Sequence, residues 1–106
     1  MLKGYLFLIA SILLEVFSTQ MMKLSEGFTK IFPIILFAIG MGSCFYLFSK
    51  TLAMLPLGAS YAIWAGLGTA LTAILAVFLW KETFSLQLLI GTILIIAGVI
   101  ILNLRH

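Results

Sequence analysis

One carboxylate, Glu15, lies inside a long apolar stretch near the start of the chain. Residues 4–14 before it and residues 16–22 after it carry no other charge, and neither segment alone is long enough to cross a bilayer. Joined through Glu15, they come close to the roughly 20 residues that a helix needs to span the hydrocarbon. An ionised carboxylate at that depth costs at least about 2.5–3.5 kcal/mol. We therefore expect Glu15 to bind protons and cations in turn.

The residues at three- and four-residue spacing around Glu15 form one face of the predicted helix. This face collects most of the polar atoms of the helix, and small side chains beside the acid leave room for a ligand. The predicted pocket-lining residues of this helix are Leu8, Ser11, Ile12, Ser18 and Thr19. An alternative is that the three hydroxyl residues only close contacts between helices, where such residues are common.

Two aromatic residues, Tyr61 and Trp64, recur at helical spacing with Gly68 well inside a later apolar segment. Tyr and Trp in membrane helices concentrate at the two interfaces, so a pair of them at depth indicates a site. Trp64 can provide a cation–π contact, which is stronger when water is excluded. Tyr61 can donate its hydroxyl to a carboxylate such as Glu15. We predict that these three residues bind the substrate and the proton.

The composition indicates the class of protein that positions these residues. Of the 106 residues, 64% are apolar and 8% are charged, whereas soluble domains average about 25% charged residues. The charged residues divide the chain into segments of membrane-spanning length, and Pro56 precedes the third helix. The prediction is an all-α integral membrane protein with a single four-helix transmembrane domain over residues 1–106. Its helices are expected at about residues 4–22, 31–49, 57–80 and 84–104, with Gly27 in the loop that ends helix 1.

Two pairs of glycines distinguish helices 3 and 4. Gly66 and Gly68 weaken helix 3 and favour a bend, so we predict a hinge there, with tight helix packing around glycine as the alternative. Helix 4 carries no ionisable group, and Gly91 and Gly98 stand seven residues apart. That spacing keeps them on one glycine seam, together with Leu94 and Ile95, which suits packing between protomers. We predict that helix 4 serves assembly.

The basic residues are balanced between the two sides of the predicted bundle. With four spans, one side carries Lys3, Lys50 and Arg105, and the other carries Lys23, Lys30 and Lys81. The positive-inside rule counts Lys and Arg in short loops, so it gives no preferred orientation here. We hypothesise that the chain inserts both ways and pairs as an antiparallel dimer. Such a dimer supplies the inverted symmetry that many transporters obtain from internal repeats around a midplane site.

An antiparallel dimer would also bring two Glu15 carboxylates towards each other, and such groups titrate as a coupled pair. Burial in a low-dielectric setting disfavours the charged form of a carboxylate. The pair can therefore hold protons or give them up to a cation. If proton and cation exclude each other at one site, proton entry on one side drives cation release, which is antiport.

The sequence gives no support for an enzyme, a metal site or a cofactor. Cys44 is the only cysteine, so no intramolecular disulfide or multi-cysteine metal site exists. The net charge of +3 comes from scattered basic residues, unlike the clustered patches of nucleic-acid-binding proteins. Lys3 followed by an apolar segment imitates a signal peptide, but no small-residue cleavage site ends that segment and Glu15 interrupts it. A helix is therefore expected.

The most specific segments together resemble the small multidrug resistance transporters. They are Glu15 in helix 1, MKLSEGF at residues 22–28, Pro56 followed by YAIWAGLG at residues 61–68, and the pair Gly91 and Gly98. The resemblance covers all four helices. It implies an antiparallel homodimer, multi-pass in the bacterial inner membrane, that exports lipophilic cations in exchange for protons. It also implies that Glu15 binds both substrate and proton, that Tyr61 and Trp64 belong to the same site, and that the two seam glycines serve dimerisation.

The residues near the acid favour the quaternary-ammonium subgroup of this family. Guanidinium-exporting relatives typically place a Trp one turn after the acid, where this chain has Ser18. Quaternary-ammonium exporters often carry a Tyr in helix 2 where this chain has Met41. The helix-2 edge of the pocket, to which we assign Met41 and Cys44, is therefore expected to differ from that of the quaternary-ammonium exporters, although Cys44 is better explained as a small apolar residue inside helix 2. Some relatives act only as heterodimers, but the balanced charges here favour a homodimer.

Two alternative functions fit parts of the same pattern. Within the family, the alternative is export of guanidinium or a small polyamine. A different class is a small structural subunit of a larger membrane complex, which would explain the glycine seam but leaves the acid at mid-membrane without a role.

Overall fold

The computed structural model describes residues 2–104. Met1, Arg105 and His106 lie outside the described residues, so Arg105, which entered the charge balance, has no structural account. The described residues form four α-helices: α1 (Leu2–Leu24), α2 (Ile31–Leu52), α3 (Leu57–Leu79) and α4 (Leu86–Leu104). All four are long and apolar enough to cross a membrane. The predicted all-helical architecture with four membrane-spanning helices is confirmed.

The first helix extends about two residues beyond the predicted bounds at each end. α1 runs from Leu2 to Leu24 instead of over residues 4–22, and it is followed by Glu26, Gly27 and Phe28, whose φ angles are 50°, 74° and 62°. Residues in this left-handed region commonly terminate helices. The Glu26 carboxylate also pairs with Lys30 at 3.1 Å, but both side chains are exposed, so this ion pair adds little stability.

The other helices differ from the predicted bounds by a few residues. α2 continues to Leu52 instead of ending near residue 49. α4 begins at Leu86 rather than residue 84, because Ser85 caps it: the Leu88 N–H donates to the Ser85 hydroxyl oxygen at 3.1 Å. A serine in this position satisfies an N–H group that has no partner within the helix.

The helices group into two units along the chain. The first unit, Met1–Pro56, contains α1 and α2, and the second unit, Leu57–His106, contains α3 and α4. Each unit is a pair of consecutive helices joined by a short connection. The single four-helix domain expected from the sequence stays a prediction.

In the first unit, α1 and α2 pack as an antiparallel pair. At one end, the buried hydroxyl of Thr51 donates to the Gly4 carbonyl oxygen at 3.2 Å. Further along, the backbone of Gly40 lies against Ser18, and a Cβ at Gly40 would collide with the Ser18 hydroxyl oxygen. Small residues at such a contact let two helix backbones approach closely.

In the second unit, α3 and α4 touch at Gly66. A Cβ at Gly66 would collide with the Cγ2 methyl of Val99 and would lie 3.3 Å from the Cγ2 methyl of Ile95. α3 runs unbroken through Gly66 and Gly68. The structure therefore shows the packing role that sequence analysis left as the alternative for Gly66, while the hinge stays a prediction.

Candidate functional site

Glu15 lies in the middle of α1 with its side chain half-buried. The Thr19 hydroxyl donates to the Glu15 backbone oxygen at 2.9 Å and, over a longer distance of 3.3 Å, to Glu15 Oε1. The other carboxylate oxygen, Oε2, is buried and accepts no hydrogen bond from any residue in the range 2–104. One oxygen of the acid is thus held by its own helix, and the second has no such contact among the described residues.

Four of the five predicted pocket residues of α1 are more deeply buried than Glu15, whereas Thr19 is half-buried like the acid. Leu8 and Ile12 are 1% and 2% exposed, and Ser11 and Ser18 are fully buried. The Ser11 hydroxyl donates to the Leu8 carbonyl oxygen, and the Ser18 hydroxyl donates to the Leu14 carbonyl oxygen, both at 2.7 Å. Serines that bond back to their own helix in this way need no external partner.

The hydroxyl residues of this face therefore divide into two kinds. Ser18 packs against Gly40 of α2, which is the helix-contact role that the sequence left open. Thr19 lies beside the acid and bonds to it. Of the residues predicted to line a pocket in α1, Thr19 is the one whose side chain hydrogen-bonds to the Glu15 carboxylate within the described part of the chain.

The two helix-2 residues assigned to the pocket have different environments. Met41 is half-buried, and Cys44 is fully buried three residues later on the same face of α2. The burial of Cys44 fits a small apolar residue inside the helix pair. Met41 keeps part of its flexible side chain accessible.

The aromatic residues of the predicted site belong to the second unit. Tyr61 is 54% exposed and Trp64 is half-buried. Their ring centroids are 5.7 Å apart with the planes tilted by 45°. This distance lies in the range preferred by interacting aromatic pairs. The pair forms a continuous aromatic surface on α3.

Sequence analysis missed one polar residue of α3. Ser60 is 1% exposed, and its hydroxyl oxygen has no hydrogen-bond partner in the part of the chain that the structure describes. Ser60 precedes Trp64 by four residues, so both lie on one helix face. A small hydroxyl residue directly before Tyr61 and one turn before Trp64 was the available signal.

The two glycines of the glycine seam, Gly91 and Gly98, have free space where a side chain would begin. A Cβ at Gly91 or at Gly98 would meet no described atom within 4 Å outside the local helix. Neither glycine is needed for packing inside the second unit, in contrast to Gly66. The described residues 2–104 also contain no group of three His, Cys, Asp or Glu side chains that could hold a metal ion.

Comparison with known proteins places the chain in a family. A family model described as Small Multidrug Resistance protein matches residues 3–95. The chain belongs to the small multidrug resistance family. The resemblance inferred from the residues is thereby confirmed.

Three relatives illustrate the similarity. Multidrug resistance protein EbrB of Bacillus licheniformis is 51% identical over 99% of this chain and 88% of its own length. Multidrug resistance protein EbrA of the same organism is 42% identical over 98% of this chain and 99% of its own length. Quaternary ammonium compound-resistance protein QacH of Staphylococcus saprophyticus is 48% identical over 93% of this chain and 92% of its own length.

Membership of this family and the four apolar helices together indicate a multi-pass membrane protein. The relatives are named for resistance to drugs or to quaternary ammonium compounds, and none of these names describes an enzyme.

Proposed function

We propose that this protein is a proton-coupled antiporter that exports lipophilic quaternary ammonium cations by alternating access. Protons and the cation compete for Glu15 of both protomers in an antiparallel homodimer. The names of its relatives support the class of substrate, since they include both multidrug and quaternary ammonium resistance proteins. The relatives named here come from bacteria, which supports placement in the bacterial inner membrane.

The observation that carries this proposal is the state of the Glu15 carboxylate. Its Oε1 is engaged by Thr19, whereas its buried Oε2 has no hydrogen-bond partner among residues 2–104. A buried polar atom without a partner is costly, and the cost is greatest for a charged oxygen. Binding a proton removes the charge, and binding a cation compensates it. The same atom thus favours two occupants that exclude each other.

Tyr61 and Trp64 would supply the aromatic wall for the cation. A lipophilic cation loses its water on entering a membrane, and cation–π attraction is stronger when the cation is desolvated. The exposed Tyr61 ring and the adjacent Trp64 ring offer two such faces on α3. The hydroxyl of Tyr61 can also donate to a carboxylate.

Assembly into an antiparallel homodimer is supported by the glycine seam and by the charges. Gly91 and Gly98 are open on α4 within a single chain, so a second copy can approach the helix closely there. By sequence, the basic residues on the two predicted sides are equal in number: Lys3, Lys50 and Arg105 on one side, and Lys23, Lys30 and Lys81 on the other. Neither orientation is therefore favoured strongly by the positive-inside rule.

The test is binding of an aromatic quaternary ammonium cation, benzyltrimethylammonium, to the purified dimer across a pH series. We expect affinity to fall as the pH falls, because protons occupy the same carboxylate. Calorimetry in two buffers with different ionisation enthalpies counts the protons released on binding. Affinity that does not change with pH, with no protons released, would contradict the mechanism. Tighter binding of guanidinium than of the aromatic cation would favour the alternative substrate class.

A further inference from the structure

The second unit contains an apolar groove on the side of α3 and α4 near their connecting loop. Its volume is about 310 Å³, and the residues that form it include Ala73, Val77 and Phe78 of α3, Phe84 of the loop, and Leu88 and Thr92 of α4. Thr92 is the one polar residue of its lining. We term this cavity the α3–α4 groove. We propose that it binds one acyl chain of a phosphatidylethanolamine molecule whose headgroup lies at Lys81 and Glu82.

The groove is not part of the glycine seam. At about 100° per residue, the α4 residues that line the groove and those of the seam are centred roughly 140° apart around the helix. A second copy of the chain that packs on Gly91 and Gly98 would therefore leave the groove-lining face of α4 to another occupant. In a membrane, the default occupant of an apolar face is lipid hydrocarbon.

The dimensions of the groove fit a chain better than a helix. It extends along α4 from Leu88 to Ile96, which is about 12 Å at 1.5 Å per residue. It therefore runs along the helices, in the direction that acyl chains follow in a bilayer. A helix with its side chains is about 10–12 Å across, so it could only lie over the groove, whereas an acyl chain is narrow enough to lie within it.

Two side chains of opposite charge, Lys81 and Glu82, lie at the loop end of the groove. Both Lys81 and Glu82 are exposed, and they lie between the groove residues Phe78 and Phe84 in the sequence. The backbone holds them there: the Glu82 N–H donates to the Ala76 carbonyl oxygen at 3.0 Å, and Lys81 has a φ of 56°. The segment after α3 is thus folded back towards the helix end from which the groove begins.

This pair of charges favours a zwitterionic headgroup. An anionic lipid would be attracted by Lys81 and repelled by Glu82, so its net gain is small. Phosphatidylethanolamine carries a phosphate that Lys81 can pair with and a primary ammonium that Glu82 can pair with. The ammonium group also donates hydrogen bonds to a carboxylate, which strengthens the pairing.

The proposal is tested by the lipid that remains bound to the protein. The full chain is reconstituted with equal amounts of phosphatidylethanolamine and phosphatidylglycerol and examined by native mass spectrometry after transfer to detergent. We expect retained phosphatidylethanolamine. Retention of phosphatidylglycerol in preference would overturn the headgroup assignment.

Two substitutions fill the groove from opposite walls, Leu88→Trp from α4 and Ala73→Phe from α3. Each should remove the retained lipid, and the second variant covers the case in which the first fails to fold. Ile90→Trp is the matched control, because Ile90 is an exposed α4 residue that does not line the groove. Equal lipid retention by the control and both groove variants would overturn the proposal.

The headgroup contacts have their own variants. Lys81→Gln should weaken retention of phosphatidylethanolamine by about fivefold, the order expected for one lysine beside lipid headgroups. Glu82→Gln should shift retention towards phosphatidylglycerol, because it removes the repulsion of an anionic headgroup. If neither variant changes the lipid preference, the headgroup does not lie at this loop. Disulfide cross-linking of a Leu88→Cys variant to a second copy would instead show that the groove is a contact between subunits.

Discussion

The hydroxyl of Thr19 lies 3.3 Å from Oε1 of Glu15, one turn earlier in the same helix, and donates to it. The same hydroxyl is 2.9 Å from the Glu15 backbone oxygen. A single O–H group serves two acceptors here, so neither is held at full strength. The carboxylate is oriented by its own helix, and in the proposed mechanism it exchanges this contact for another when a cation binds.

Substitution of Thr19 should change cation binding through this contact. Thr19→Val keeps the shape and removes the hydroxyl, so the carboxylate loses its donor. Hydrogen bonds between side chains in membrane proteins average about 0.6 kcal/mol with a maximum near 1.7, so we expect affinity to change by about threefold and by no more than about twentyfold. The measurement is cation affinity across a pH series.

Thr19→Ser is the control for this prediction, since it keeps the hydroxyl and loses only the methyl group. It should retain the pH profile of the unmodified protein, whereas Thr19→Val shifts it. A Thr19→Val variant that keeps the pH profile of the unmodified protein would show that the hydroxyl plays no part in cation binding.

Glu15 itself provides the most direct test of antiport. Glu15→Gln keeps the size and cannot ionise, so it should abolish uptake driven by a pH gradient in proteoliposomes. Glu15→Asp keeps a carboxylate one methylene shorter, and we expect it to retain uptake with a shifted dependence on pH. Full pH-driven uptake by the glutamine variant would show that another group carries the proton.

The close approach of α1 and α2 at Gly40 should make this position sensitive to size. A Cβ at Gly40 collides with the Ser18 hydroxyl oxygen, and overpacking of this kind typically costs about 1–3 kcal/mol. Gly40→Ala should therefore lower the thermal stability of the protein in detergent. Gly42→Ala is the matched control, because a Cβ there meets no described atom within 4 Å.

A second substitution distinguishes the collision from a general effect on α2. Ser18→Ala removes the oxygen that the new methyl group would meet, so it should restore much of the stability lost in Gly40→Ala. A double variant as unstable as Gly40→Ala alone would mean that Ser18 is not the obstacle.

The four helices were predictable because charged residues separate the apolar segments. The backbone conformation of the turn after α1 was not, since Glu26 and Phe28 have left-handed backbone angles there, which such residue types rarely adopt. The contact between Ser18 and Gly40 could not be predicted from the sequence either. Helical spacing shows which residues share a face, but it does not show that this face meets Gly40 of α2.

The roles of the glycines were predicted only in part for a similar reason. Spacing alone assigned Gly91 and Gly98 to a seam and Gly66 and Gly68 to a hinge. It could not show that Gly66 accommodates Val99 of the neighbouring helix while both seam glycines are open. That difference depends on the side chains of another helix, which no local pattern encodes.

Because a Cβ at either seam glycine on α4 would meet no other helix of the described chain within 4 Å, a substitution there should disrupt assembly of the dimer without disturbing the fold of the single chain. Gly98→Val adds a branched side chain where no described atom would oppose its Cβ within 4 Å, so helical content measured by circular dichroism should be unchanged. A second copy could no longer approach closely, and the fraction of cross-linked dimer in membranes should fall. A dimer fraction equal to that of the unmodified protein would place the subunit contact elsewhere.

Gly66 allows packing and bending to be separated experimentally. Gly66→Ala should impair transport under either interpretation, because its new methyl group collides with Val99 and because alanine stiffens the helix relative to glycine. Adding Val99→Ala removes the obstructing methyl groups and leaves the stiffer helix in place. If Gly66 serves packing, the double variant should recover both thermal stability and transport of the cation in proteoliposomes. If α3 bends at Gly66 during alternating access, the double variant should recover stability while transport stays low. Equal recovery of both quantities would therefore argue against the hinge.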